Sequence, residues 1–142
     1  MNKILLVEDN EGDILLTTVM LRDIEKNLEI ETARDGEEAI HIIERMGREN
    51  TYDHPRLILL DVNLPKRNGF EVLNAIRSNS YLDSIPVVML TTSSFPKDRL
   101  TALENHADQF LTKSSELREL KATIEDIYYR WLSPHLLEKM AS

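Results

Sequence analysis

Apolar residues come along this chain in two alternating rhythms. Ile4–Val7, Leu57–Leu60 and Pro86–Leu90 are short unbroken runs with the form of strands buried on both faces. Leu28–Thr32 alternates apolar and polar like an edge strand, and Phe110-Leu111-Thr112 reads as a short fifth one. Between these runs the apolar residues recur at spacings of three and four. Leu15, Val19 and Leu16, Met20 mark a helix over Ile14–Ile24, and Ala39, Ile42, Ile43 and Met46 mark a second. Val72, Leu73 and Ile76 mark a third helix. A fourth is predicted from about Pro96 to Asn105, with Leu100, Leu103 and Ala107 inward. Leu117, Leu120, Ile124, Ile127 and Trp131 hold the spacing through a fifth. Asp35 followed by Glu38, and Asn68 followed by Glu71, are cap signatures that open the second and third helices. Gly47–Pro55 is the one long polar connection.

Five strands alternating with five helices predict a single α/β domain over residues 1–142, a doubly wound parallel sheet covered on both faces, with a C-terminal extension at about 133–142. In open sheets of this kind function sits at the carboxyl ends of the strands. Strand one ends at Glu8-Asp9, strand three at Asp61, strand four at Thr91-Thr92 and strand five at Thr112-Lys113. With strand one between two and three, the acids of strands one and three converge. Two carboxylates about 4 Å apart repel by about 1 kcal/mol in water and about 4 kcal/mol at an effective dielectric of 20. Such a pair holds either a proton or a cation. Few, hard oxygen ligands, half open to water, favour Mg²⁺ over a Ca²⁺ cage. Each residue alone has a plain structural role, as turn, cap, strand or solvated surface. Their joint occurrence at one sheet edge is what points to chemistry.

Composition narrows the partners. The formal charge is −8 with no Lys/Arg cluster, which argues against binding nucleic acid through phosphates. There is no cysteine, hence no disulfide framework and no thiolate metal site. No apolar run approaches the length of a signal-peptide core or a membrane span. The expectation is a soluble, cytoplasmic protein that partners proteins or cations. The four histidines are scattered and read as ordinary surface or core residues.

The stretches E-D, D-V-N-L-P-K-R-N-G, L-T-T and F-L-T-K together resemble a response-regulator receiver domain of two-component signalling. The resemblance covers essentially the whole chain and implies a flavodoxin-like sheet with order 2-1-3-4-5. It implies that Asp61 is the phosphoacceptor, with a sensor histidine kinase as donor. It makes Asp9 and Asp61 direct Mg²⁺ ligands, Glu8 a ligand through water, and the Asn63 carbonyl the third protein ligand. Thr91 takes the place of the switch hydroxyl, Phe110 of the switch aromatic, and Lys113 of the lysine that contacts the phosphoryl group. Such a protein catalyses only its own phosphorylation and dephosphorylation. Two positions depart from the family's habit: Thr92 stands where a small residue is common, and Ser114 follows the lysine where a cis proline is common. The long Gly47–Pro55 connection and the tail I-Y-Y-R-W-L-S-P resemble stand-alone regulators that partner phytochrome kinases.

Three rivals are weaker on these residues. A haloacid-dehalogenase-type phosphatase wants an acid two residues after the nucleophile, where Asn63 stands. A flavodoxin-like redox module wants a phosphate-cradling first loop, and E-D-N-E-G-D repels anions. A phosphorylation-independent interaction module has usually lost one of the acids, and none is missing. Finally, Tyr128, Tyr129 and Leu132, followed by Leu136 and Leu137, are more apolar surface than a small core needs. With Trp131 they predict a homodimer through the face of the fourth helix, fifth strand and fifth helix, Tyr128 and Trp131 acting as anchors.

Overall fold

A computed structural model describes residues 2–49 and 54–133. Its elements, in chain order, are β1 (Lys3–Val7), α1 (Glu11–Ile24), β2 (Glu29–Ala33), α2 (Gly36–Glu49), β3 (Leu57–Leu60), α3 (Gly69–Arg77), β4 (Val87–Thr91), α4 (Pro96–Glu104), β5 (Gln109–Thr112) and α5 (Leu117–Ile127). A single π-helical turn, Tyr128–Leu132, extends α5. The five strands form one sheet in the order β2-β1-β3-β4-β5, every pair parallel. This is the predicted doubly wound, flavodoxin-like arrangement.

The side-chain alternation of the strands builds two cores. Leu5, Val7, Ile58, Leu60, Val87, Met89 and Phe110 face α2 and α3, where Ile43, Val72, Leu73 and Ile76 close the layer. Ile4, Leu6, Leu57, Leu59, Val88 and Leu90 face α1 and α5, with Leu21, Leu120, Ile124 and Ile127. The interior strands β3 and β4 are buried at every position, which is why they read as unbroken apolar runs.

The inward faces of three helices differ from expectation. In α1 the buried stripe is Ile14, Thr17 and Leu21, and Leu15 and Val19 are exposed; a threonine inside the stripe masks its period. In α4 only Ala102 is buried, whereas Leu100 and Leu103 are 58% and 46% exposed. Leu117, the first residue of α5, is exposed as well.

The tail corrects a further expectation. Tyr128 is no exposed dimer anchor: it is buried, and its hydroxyl donates to Glu25 Oε1 at the end of α1. Leu132 is buried too, and half-buried Trp131 donates its indole N–H to Gln109 Oε1 at 2.7 Å. These residues pack against the α1/α5 side of their own domain. Leu136 and Leu137, like the middle of the Gly47–Pro55 connection, lie outside the described residues.

Candidate functional site

The register of the sheet makes the site. Val7 pairs with Leu60 and with Ala33, so the next residues of β1 and β3, Glu8 and Asp61, leave the sheet side by side. The Asp61 N–H donates to the Val7 carbonyl at 3.1 Å and the Glu8 N–H to the Ala33 carbonyl at 3.0 Å, so both are held by the last rung of the ladder. Gly69, at the start of α3, packs directly on this corner. A Cβ there would lie 2.1 Å from the Asp61 carbonyl oxygen and 2.9 Å from Val62 Cα, so only glycine fits.

Glu8, Asp9 and Asp61 bring one carboxylate oxygen each within 4.8 Å of one another. Glu8 and Asp61 are buried and Asp9 is exposed, so the cluster opens to solvent on one side. Burial, reinforced by the charge of Asp61, pushes the Glu8 carboxyl up to about 6. A dication among these oxygens would offset the repulsion and favour the charged carboxylates, and the donor set is all hard oxygen. The Asn63 N–H points back to Asp61 Oδ1 at a long 3.4 Å.

Lys113 enters from β5, its backbone N–H bonded to the Thr91 carbonyl at 2.6 Å. Its side chain is 7% exposed, and its ammonium donates to Glu8 Oε2 and, at 3.0 Å, to Asp13 Oδ2; Asp61 Oδ2 is 3.9 Å away. Burial pulls its pKa down, but the hydrogen bonds and charges of Glu8, Asp13 and Asp61 outweigh that, so it stays a cation. Thr91 is fully buried, and its Oγ1 accepts from the Ser93 N–H at 3.2 Å. The Ser93 hydroxyl in turn donates to Asp98 Oδ2 at 2.5 Å, tying the β4–α4 loop to the first turn of α4. Phe110 is buried in β5, beside Met89 of β4, and its carbonyl accepts from Arg99 Nη1 at 3.2 Å.

The acids of strands one and three and the lysine of strand five therefore meet, while Thr91 ends strand four between them and Phe110 lies on strand five, three residues before the lysine. Asp13 belongs to the same group and was not anticipated. It sits three residues after the α1 cap Asn10, where an acid reads as ordinary capping.

The residue 4–125 span matches the family model of the response regulator receiver domain. The chain belongs to the response regulator receiver family. Among curated receivers it is 40% identical over 129 residues to response regulator Rcp1 of a Synechocystis strain, covering 91% of this chain and 88% of that one. Among solved receivers, the phosphorylated cyanobacterial phytochrome response regulator RcpA superposes with a TM-score of 0.86 at 41% identity, over 94% of this chain and 95% of that one. The Mn²⁺-bound form of Rcp1 gives a TM-score of 0.83 at 39% identity, over 93% and 95%. This receiver thus presents an acidic cluster of a kind suited to a divalent cation, on a fold shared with a metal-bound relative. Among its described residues no helix is long and apolar enough to cross a membrane.

Proposed function

We propose that Asp61 is the phosphoacceptor of a response regulator and takes its phosphoryl group from the phosphohistidine of a sensor histidine kinase. The observation that carries this reading is the convergence of Glu8, Asp9 and Asp61 within 4.8 Å, with the buried Lys113 ammonium against them. An Asp61 carboxylate oxygen attacks phosphorus. A P–O bond forms as the P–N bond breaks, and the electron pair returns to the imidazole nitrogen, so the ring, protonated on its other nitrogen, departs as neutral histidine. Asp9, Asp61 and the Asn63 carbonyl, with Glu8 beside them, would hold Mg²⁺, and the bound cation would supply the positive charge that lets an anionic nucleophile meet an anionic donor. Lys113 binds a phosphoryl oxygen. Thr91 turns toward another, and Phe110 takes the space it leaves, which carries the new charge to the surface beside them.

A phytochrome-type kinase in the cytoplasm is the donor this reading favours, because RcpA is a phytochrome response regulator at 41% identity. The output surface is that of α4, β5 and α5. Exposed Phe95, Leu100, Leu103 and Leu117 replace Tyr128 and Trp131 as its anchors, and its partner in the unaided protein is a second copy, a homodimer. The rival reading, a phosphorylation-independent interaction module, is disfavoured by the complete acid set.

Incubation with acetyl phosphate and Mg²⁺ tests the proposal. Mass spectrometry should find one added phosphoryl group that hydroxylamine removes, and none on Asp61→Asn. Uptake by Asp61→Asn at the wild-type rate refutes it.

A further inference from the structure

We propose that Asp13 is a tether for Lys113, holding the ammonium beside α1 and out of hydrogen-bonding reach of Asp61 until a phosphoryl group draws it away. The inference rests on the phosphoacceptor reading above and adds a positioning residue to it.

Three observations carry it. First, Lys113 is unequally shared: its ammonium donates to Glu8 Oε2 and, at 3.0 Å, to Asp13 Oδ2 on α1, whereas Asp61 Oδ2 at 3.9 Å lies beyond a hydrogen bond. Second, Asp13 is free for the task because its usual one is taken. An acid three residues after a helix cap commonly reaches back to the cap's own N–H. Here the Asn10 N–H already donates to Glu8 Oε1 at 3.2 Å, and the Asp13 carboxylate turns to Lys113. Third, Asp13 is itself anchored, since its backbone N–H donates to Asn10 Oδ1 at 2.9 Å. On that anchored main chain the short Asp13 side chain reaches no further than its own two rotatable bonds allow. When Lys113 moves to an oxygen on Asp61 it must give up Asp13, so Asp13 stabilises the unphosphorylated state selectively.

The measurement is beryllofluoride affinity by calorimetry at saturating Mg²⁺, in wild type, Asp13→Asn, Asp13→Glu and Glu11→Gln. Glu11 lies in the same helical turn and pairs with Arg34, so its loss removes a charge without touching Lys113. Asp13→Asn should bind about fivefold tighter, as exchanging a charge-assisted hydrogen bond of the free state for a neutral one implies. Asp13→Glu and Glu11→Gln should stay within about twofold of wild type, a spread small against that loss. Equal affinity of Asp13→Asn and wild type, or an equal gain in Glu11→Gln, overturns the tether. A second readout does not depend on phosphorylation. The Lys113 Nζ resonance in ¹⁵N-lysine-labelled protein should shift in Asp13→Asn and not in Glu11→Gln, and no shift also overturns it. If wild type fails to bind beryllofluoride while that resonance shifts, the phosphoacceptor reading falls and the Asp13–Lys113 contact stands.

Discussion

Glu8 is where the electrostatics of the site are most concentrated. It is buried, faces Asp61 and shares Lys113, and the balance leaves its carboxyl near 6. The sign of its pH effect follows. The unfolded chain gives up this proton near the ordinary glutamate value and the folded chain keeps it longer. The stability it confers is complete below the unfolded pKa and is lost as pH rises through about 6. In EDTA, the stability of Glu8→Gln relative to wild type should therefore rise between pH 4.5 and 7 by about 2 kcal/mol, a shift of somewhat more than one pKa unit. Urea denaturation at the two pH values reads it, and a relative stability independent of pH would contradict it. Adding Mg²⁺ at pH 7 should narrow the difference, because the cation takes over the proton's role. Glu8, Asp9, Asp61 and Lys113 were legible in the sequence because strand ends carry them to a predictable edge. Asp13 was not, because nothing in the spelling of a helix start tells which partner its acid takes.

Among the elements, α3 is joined most tightly to the chemistry. Asn68 caps it, its side chain accepting from the Glu71 N–H at 3.0 Å, and Gly69 rests on the Asp61 backbone. Helix propensity alone favours Ala over Gly by about 1 kcal/mol. A Cβ at 2.1 Å from a backbone oxygen reverses that preference, since the contact is with main chain that cannot rotate away. Gly69→Ala should lower stability by about 1–3 kcal/mol, the usual range for overpacking, and slow phosphorylation from acetyl phosphate by displacing Asp61. A denaturation midpoint at or above wild type would contradict it. The helix faces show what pattern reading misses. The interior strands are buried on both faces and spell unbroken apolar runs, so the sheet was readable to within a residue or two. In α1 leucines occur on both sides, and in α4 both leucines lie outside. Only packing decides that Ile14 and Leu21 go in while Leu15 stays out, and that Ala102, not Leu100, meets the sheet.

At the scale of the molecule, two of the misplaced leucines put exposed apolar surface on α4. Phe95 is 70% exposed, with Leu100 and Leu103 on the same helix. Light scattering at micromolar protein should give a dimer in beryllofluoride. Leu100→Lys with Leu103→Lys should return the monomer mass without loss of fold, as both side chains lie outside the core. A Tyr128→Ala change should instead lower stability by about 3 kcal/mol, the cost of truncating a buried aromatic, because Tyr128 closes its own domain. A dimer untouched by the leucine pair would relocate the interface.

The strand-end arrangement has one more consequence, for the life of the chain rather than its chemistry. Glu8, Asp61 and Lys113 are far apart in sequence and meet only when β1, β3 and β5 share one sheet. A nascent or heat-damaged chain owns every residue of the site and none of its geometry. On the proposed reading, a kinase donating to Asp61 would spend phosphoryl groups only on finished molecules, and a cation bound at the acids would favour the finished form by mass action. Phosphorylation by acetyl phosphate should consequently vanish along the same urea curve as the sheet's circular dichroism, with no phosphorylated species surviving beyond it.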